Sequence, residues 1–124
     1  MHNQKGLSLI EVVAGLVLLG IGILAIASLQ VTSVRGNTHS NNVMQATYLA
    51  HDRLEWLKHR PFDSGALQPG ADQEDVKREI QGVLFAGRYT VTQPTAGGLK
   101  TILYTVSWKD RVNHSICIPT SRAR

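Results

Sequence analysis

The chain has almost no cysteine, and so lacks the covalent cross-links that stabilise many small proteins. It contains one cysteine, Cys117, so no disulfide can form within it. A lone cysteine in an alternating strand pattern is typical of a small buried hydrophobe, which is the expectation for Cys117. Proline is absent before Pro61, so nothing forbids helix over the first part of the chain. Only one apolar run is long enough to cross a membrane, and a second span is therefore excluded.

The chain has only a small net charge. The 124 residues include 13 Lys and Arg against 9 Asp and Glu, a formal net charge of +4. This mild basicity fits a weak attraction to DNA or anionic lipid, although ordinary solvated surfaces reach it too. Lys109, Arg111, Arg122 and Arg124 are expected to form a basic edge near the C-terminus, interpreted mainly as a solvated face.

A long apolar segment lies close to the N-terminus. No polar side chain occurs between Val12 and Ala27, and extension to Leu7 and Leu29 adds only two serines and Glu11. As an α-helix this extended segment would be about 34 Å long, enough to cross a bilayer. The sequence therefore predicts a single-pass protein with a soluble C-terminal domain.

The N-terminus differs from an ordinary secretory signal. It has the basic start, His2 and Lys5, but its apolar run is longer than a signal core and contains Glu11. The basic start predicts a cytoplasmic N-terminus and a periplasmic domain after the span. A carboxylate inside a membrane costs a few kcal/mol and therefore suggests a function. The alternative is that Glu11 lies at headgroup level, where the helix dipole favours an acid.

The run KGLSLIEV at residues 5–12 resembles the prepilin signature of the type IV pilin superfamily. The resemblance implies that prepilin peptidase cuts between Gly6 and Leu7 and that the new amine of Leu7 is methylated. Most relatives have Phe where this chain has Leu7. It also implies that Glu11 neutralises the new amine when subunits stack, so that the apolar helix first anchors the protein and then packs in a filament.

Four regions are expected along the chain. Residues 1–6 form the leader, 7–29 the transmembrane and filament-core half of a long helix, 30–60 its amphipathic half, and 61–124 the periplasmic head. Apolar residues repeat at helical spacing in the amphipathic half, and Pro61 should end the helix. The repeating residues are Val43, Ala46, Ala50, Leu54 and Leu57.

The head is expected to be a small antiparallel sheet. Residues 87–92, 100–108 and 115–118 have strand patterns, residues 76–80 are either strand or short helix, and residues 97–98 and 110–113 are turns. Three or four strands would pack on the amphipathic half of the helix. The predicted fold is α+β and type IV pilin-like.

Two further segments resemble particular members of the superfamily. Gln45–Ala50 followed by Arg53–Glu55 is similar to the helix of PilV-type minor pilins and of the I-type pseudopilins, and Val106–Asp110 with the strand to Thr120 is similar to their closing hairpin. The helix lacks the proline usual in major pilins. These features favour a minor pilin that helps to prime or cap a type IV pilus. A type II secretion pseudopilin is the alternative, and a simple membrane-anchored binding or adhesion module is a further one.

The expected partners follow from this interpretation: other major and minor pilins, prepilin peptidase, the inner membrane before assembly, and nucleic acid only if the filament serves DNA uptake. No catalytic residue, cofactor or metal is expected. The histidines lack ligand spacing, and no nucleophile motif occurs. The residues expected to serve packing or partner interfaces are Met44, Tyr48, Trp56 and Trp108.

Overall fold

A computed structural model describes residue 6 and residues 8–70, 73–93 and 98–124 of the chain. Contacts divide the chain into two units, Met1–Ser40 and Asn41–Arg124. The second unit contains the sheet and is called the head here.

The first element is one uninterrupted helix, α1, from Leu9 to Lys58. It continues through the polar stretch 30–42, as predicted. Both threonines there donate their hydroxyls to helix carbonyls four residues earlier, Thr32 at 3.1 Å and Thr38 at 3.0 Å. Because these two hydroxyls are satisfied within the helix, they do not interrupt it.

The helix ends where the sequence predicts. Its last residue is Lys58, and the amide of Arg60 still donates to the Leu57 carbonyl at 3.2 Å. Pro61 cannot continue this ladder because it has no amide hydrogen. A short 3₁₀ turn, Gly65–Leu67, follows and places Leu67 in the core.

The sheet has four antiparallel strands in sequential order. They are β1 Gln73–Ile80, β2 Val83–Thr92, β3 Leu99–Lys109 and β4 Asn113–Ala123. The turn between β1 and β2 consists of Gln81 and Gly82, both with positive φ, which is the geometry of the tightest hairpins. The segment 76–80 is therefore strand, and β4 is longer than the predicted 115–118 because it pairs with β3 along its full length.

Buried and exposed residues alternate along the strands, so one face of the sheet packs against α1. The predicted apolar face of α1 is confirmed, with Val43 only partly buried, and it also includes Leu49. The core contains Ala46, Leu49, Ala50, Leu54, Leu57 and Leu67, with Phe85, Tyr89, Val91, Ile102, Tyr104, Val106 and Trp108 from the strands.

The expected burial of Cys117 was wrong. Cys117 is exposed, because the odd-numbered residues of β4 point away from α1. Its sulfur lies 3.2 Å from the Thr105 hydroxyl on the outer face of the sheet. Met44 and Tyr48 keep 48% and 68% of their surface exposed, so they do not pack in the core of the head, and their role at a partner interface stays a prediction.

Candidate functional site

The predicted processing point lies directly before the first helical turn. The Ser8 carbonyl accepts bonds from the amides of Glu11 at 2.9 Å and Val12 at 3.2 Å, which makes Ser8 the N-cap residue. Gly6 is exposed and lies outside regular structure. Leu7 lies outside the described residues, so its cleavage and methylation stay predictions.

Glu11 lies in the first turn of α1 and is exposed. A carboxylate there is favoured by the helix dipole, and the spacing Ser8-x-x-Glu11 is that of a capping box. This local signal can be read from the sequence alone. The position is consistent with both interpretations of Glu11, a helix-start acid and a partner for a new amine at Leu7.

The aliphatic surface of α1 in the first unit has no partner within that unit. Every described residue from Ser8 to Ser40 is exposed, including Leu9 at 81% and Leu24 at 72%. By length and composition this helix can cross a membrane. A helix that is apolar on all sides requires lipid or other protein around it.

A buried ionic network holds the head together. The guanidinium of Arg53 on α1 donates twice to Asp75 on β1, at 2.8 and 2.6 Å. The hydroxyl of Tyr104 on β3 donates to the same carboxylate at 2.8 Å. The Asp75 side chain is only 8% exposed. One carboxylate therefore joins the helix to two strands.

A β-bulge makes this network possible. The register of β1 shifts between Glu74 and Lys77, so the adjacent residues Asp75 and Val76 both turn towards α1. Val76 packs on the apolar core, while Asp75 reaches Arg53. Sequence alternation alone would have placed these neighbours on opposite faces.

The head is expected to lose stability in acid through Asp75. Burial alone would raise the pKa of this carboxyl, but the hydrogen bonds from Arg53 and Tyr104 and the charge of Arg53 outweigh it and lower the pKa. A lowered folded pKa stabilises the fold above the unfolded value, about 3.9, and that stabilisation disappears as pH falls through the folded pKa. The urea midpoint of the head, followed by tryptophan fluorescence, should therefore fall below about pH 4.

Two variants at adjacent positions test this assignment. Asp75→Asn should lower the midpoint at neutral pH and flatten its acid dependence. Glu74→Gln is the matched control, because Glu74 pairs with Arg88 in an exposed bridge that solvent screens. If Asp75→Asn kept the full acid dependence, another group would be responsible.

The predicted basic edge is not one surface. Lys109 and Arg111 lie at the turn between β3 and β4, whereas Arg122 pairs with Lys100 near the other end of the strand. Arg122 lies nine positions after Asn113 along the strand, or about 30 Å away. The expectation of a single basic C-terminal edge is therefore wrong, because β4 is extended.

Comparison with known proteins bears on the N-terminal segment. A family model described as the prokaryotic N-terminal methylation motif matches residues 1–27. These residues include Gly6, Leu7 and Glu11. No curated protein and no solved structure matches the chain.

The motif match and the fold point to the same class of protein. The chain combines the methylation motif with a long helix packed on a four-stranded antiparallel sheet, and together they support a type IV pilin-like protein. Proteins of this kind are structural, are processed by prepilin peptidase and assemble with other pilins. Their apolar N-terminal helix suggests membrane anchoring. The match does not reach the head, so the PilV type stays a prediction.

Proposed function

We propose that the protein is a minor pilin of a type IV pilus, an assembly subunit that helps to prime or cap the filament. The observation that carries the proposal is the methylation motif at residues 1–27, continued by a helix whose aliphatic surface is exposed throughout the first unit. The head supplies a folded surface for neighbouring heads. The subunit performs no chemistry of its own.

The proposed sequence of events begins in the inner membrane. The leader 1–6 stays cytoplasmic, and the segment 7–29 crosses the bilayer. Prepilin peptidase cuts between Gly6 and Leu7, and the amine of Leu7 is methylated. The helix then moves from lipid into the filament core, where the same aliphatic surface packs against other helices. The region 30–60 leads into the globular region 61–124.

Glu11 has a defined role in this scheme. In a filament the ammonium of Leu7 becomes a buried cation, and a carboxylate four residues later can neutralise it within one subunit or across to a neighbour. The pair also sets axial register, because a slip would separate the charges. The exposed position of Glu11 in the first turn leaves the carboxylate accessible to either amine.

Mass spectrometry of the mature N-terminus tests the proposal. Protein purified from cells with an active prepilin peptidase should begin at methylated Leu7, and protein from a peptidase-deficient strain should keep Met1. A difference between the two strains would show that prepilin peptidase removes residues 1–6. Retention of Met1 in both strains would leave only a membrane-anchored module.

The type II secretion pseudopilin shares this N-terminal chemistry and needs a separate observation. A pilus subunit should be found in surface filaments sheared from cells, beside genes for pilus assembly. A pseudopilin should stay in the cell envelope, beside genes for a secretion channel. The absence of proline before Pro61 is consistent with either minor subunit.

A further inference from the structure

One end of the head brings together basic residues from distant parts of the sequence. The guanidinium of Arg60 lies 3.9 Å from the ring centroid of Trp56. An Arg122 guanidinium nitrogen donates to the Arg60 carbonyl, which joins the end of β4 to the end of α1. Arg124 lies two residues further along the chain. We call Trp56, Arg60, Arg122 and Arg124 the helix-end surface.

The cations of the helix-end surface exceed its anions. Arg124 pairs with Asp63 at 3.8 Å. Within residues 8–70, 73–93 and 98–124, Arg60 and Arg122 have no carboxylate at ion-pair distance. Beside Arg122 in register, the buried ammonium of Lys100 donates to the Phe62 carbonyl at 2.6 Å and lies 4.2 Å from the centroid of the Phe62 ring. The surface therefore carries positive charge that the described part of the head does not neutralise.

Trp56 restrains the Arg60 guanidinium through a cation–π contact. Trp56 is 38% exposed, and a guanidinium stacked on an indole is held flat with its edge donors directed outward. Such an edge matches a carboxylate bidentately. Trp and Arg are also the residues that dominate binding energy at protein interfaces.

We propose that the helix-end surface docks an acidic segment of a partner protein. Carboxylates of the partner bond Arg60 and Arg122, and its apolar atoms cover the exposed part of Trp56. The occupant follows from charge complementarity with the two arginines, which no carboxylate of the described residues pairs with. The helix-end surface belongs to the head alone, so docking there does not depend on the proposed role in pilus assembly.

Nucleic acid fits this surface less well. Single strands bind by stacking bases on open aromatic faces, but the guanidinium groups of Arg53 and Arg60 lie over the Trp56 ring at 4.5 and 3.9 Å. A protein carboxylate needs only local contact with the arginines.

Fluorescence anisotropy of the full-length protein in detergent tests the proposal. The probe is a short labelled peptide of glutamate and leucine, compared with the same peptide carrying glutamine for glutamate. The acidic peptide should bind and the glutamine peptide should not, and salt should weaken the complex. The double variant Arg60→Gln/Arg122→Gln should weaken binding at least about tenfold.

The matched control removes the same charge elsewhere. Arg78 and Arg111 are exposed on β1 and at the turn before β4, and Arg78→Gln/Arg111→Gln should leave the affinity within about twofold. Circular dichroism checks that both double variants are folded. The proposal is overturned if the two double variants lose affinity equally, if the acidic peptide does not bind at low salt, or if duplex DNA binds more tightly through Arg60 and Arg122.

Discussion

Glu11→Leu is expected to abolish incorporation into filaments while leaving membrane insertion intact. In the proposed filament the ammonium at Leu7 is buried against neighbouring helices and needs a carboxylate. Removing one partner of a buried charge pair costs roughly 3–5 kcal/mol, enough to exclude a subunit from a cooperative assembly. Insertion should persist, because leucine is easier to place in lipid than glutamate.

The measurement compares the membrane fraction with filaments sheared from the cell surface, by immunoblot of both. Glu11→Gln removes the charge but keeps the shape of the side chain. It should enter filaments almost as poorly as Glu11→Leu. Glu79→Gln is the matched control, since Glu79 is exposed on β1 of the head, and it should assemble normally. Efficient entry of the Glu11→Leu protein into filaments would remove the charge-pairing role.

Gly87→Ala is expected to destabilise the head by about 2–4 kcal/mol. A Cβ at this position would overlap the hydroxyl oxygen of Tyr104 and would lie 3.0 Å from its Cζ. Tyr104 crosses Gly87 on its way to Asp75, so the added methyl must displace the ring or break the bond to a buried carboxylate. Urea unfolding followed by tryptophan fluorescence measures this directly, because both tryptophans lie in the head.

A double-mutant cycle identifies the cause. In a Tyr104→Phe background the overlapping oxygen is gone, so Gly87→Ala should cost less than in the wild type, and the two effects should not add. Gly98→Ala is the control, since nothing lies within 4 Å of a Cβ there. Simple additivity of Gly87→Ala and Tyr104→Phe would show that the hydroxyl is not the obstacle.

Much of the fold was readable from local patterns. The absence of proline before Pro61 and the spacing of Ala46, Ala50, Leu54 and Leu57 predict one helix and its buried face, because both depend only on neighbours along the chain. Alternation likewise predicts the strands at 87–92 and 100–108. For residues 76–80, the later part of β1, the pattern does not distinguish helix from strand, since the bulge after Glu74 disturbs the alternation.

The wrong prediction for Cys117 has a physical cause. An alternating strand pattern predicts burial for a lone cysteine, but burial depends on which face of an element meets another element. The sheet is covered by α1 on one face only, and β4 presents Cys117 on the other face. Composition does not indicate which face of the sheet carries Cys117, because a cysteine is acceptable on either side of a strand.

The sequence by itself determined the methylation motif and the long apolar helix, which support a type IV pilin-like protein. The methylation motif, the carboxylate at Glu11 and the long apolar helix are local features in which residue type and spacing carry the chemistry. Tertiary structure alone decided what the head brings together. Asp75 meets Arg53 and Tyr104 only through a bulge, and Arg60 meets Arg122 only because β4 returns to the end of α1. Contacts between residues far apart in the chain depend on register and strand order, which local periodicity does not encode.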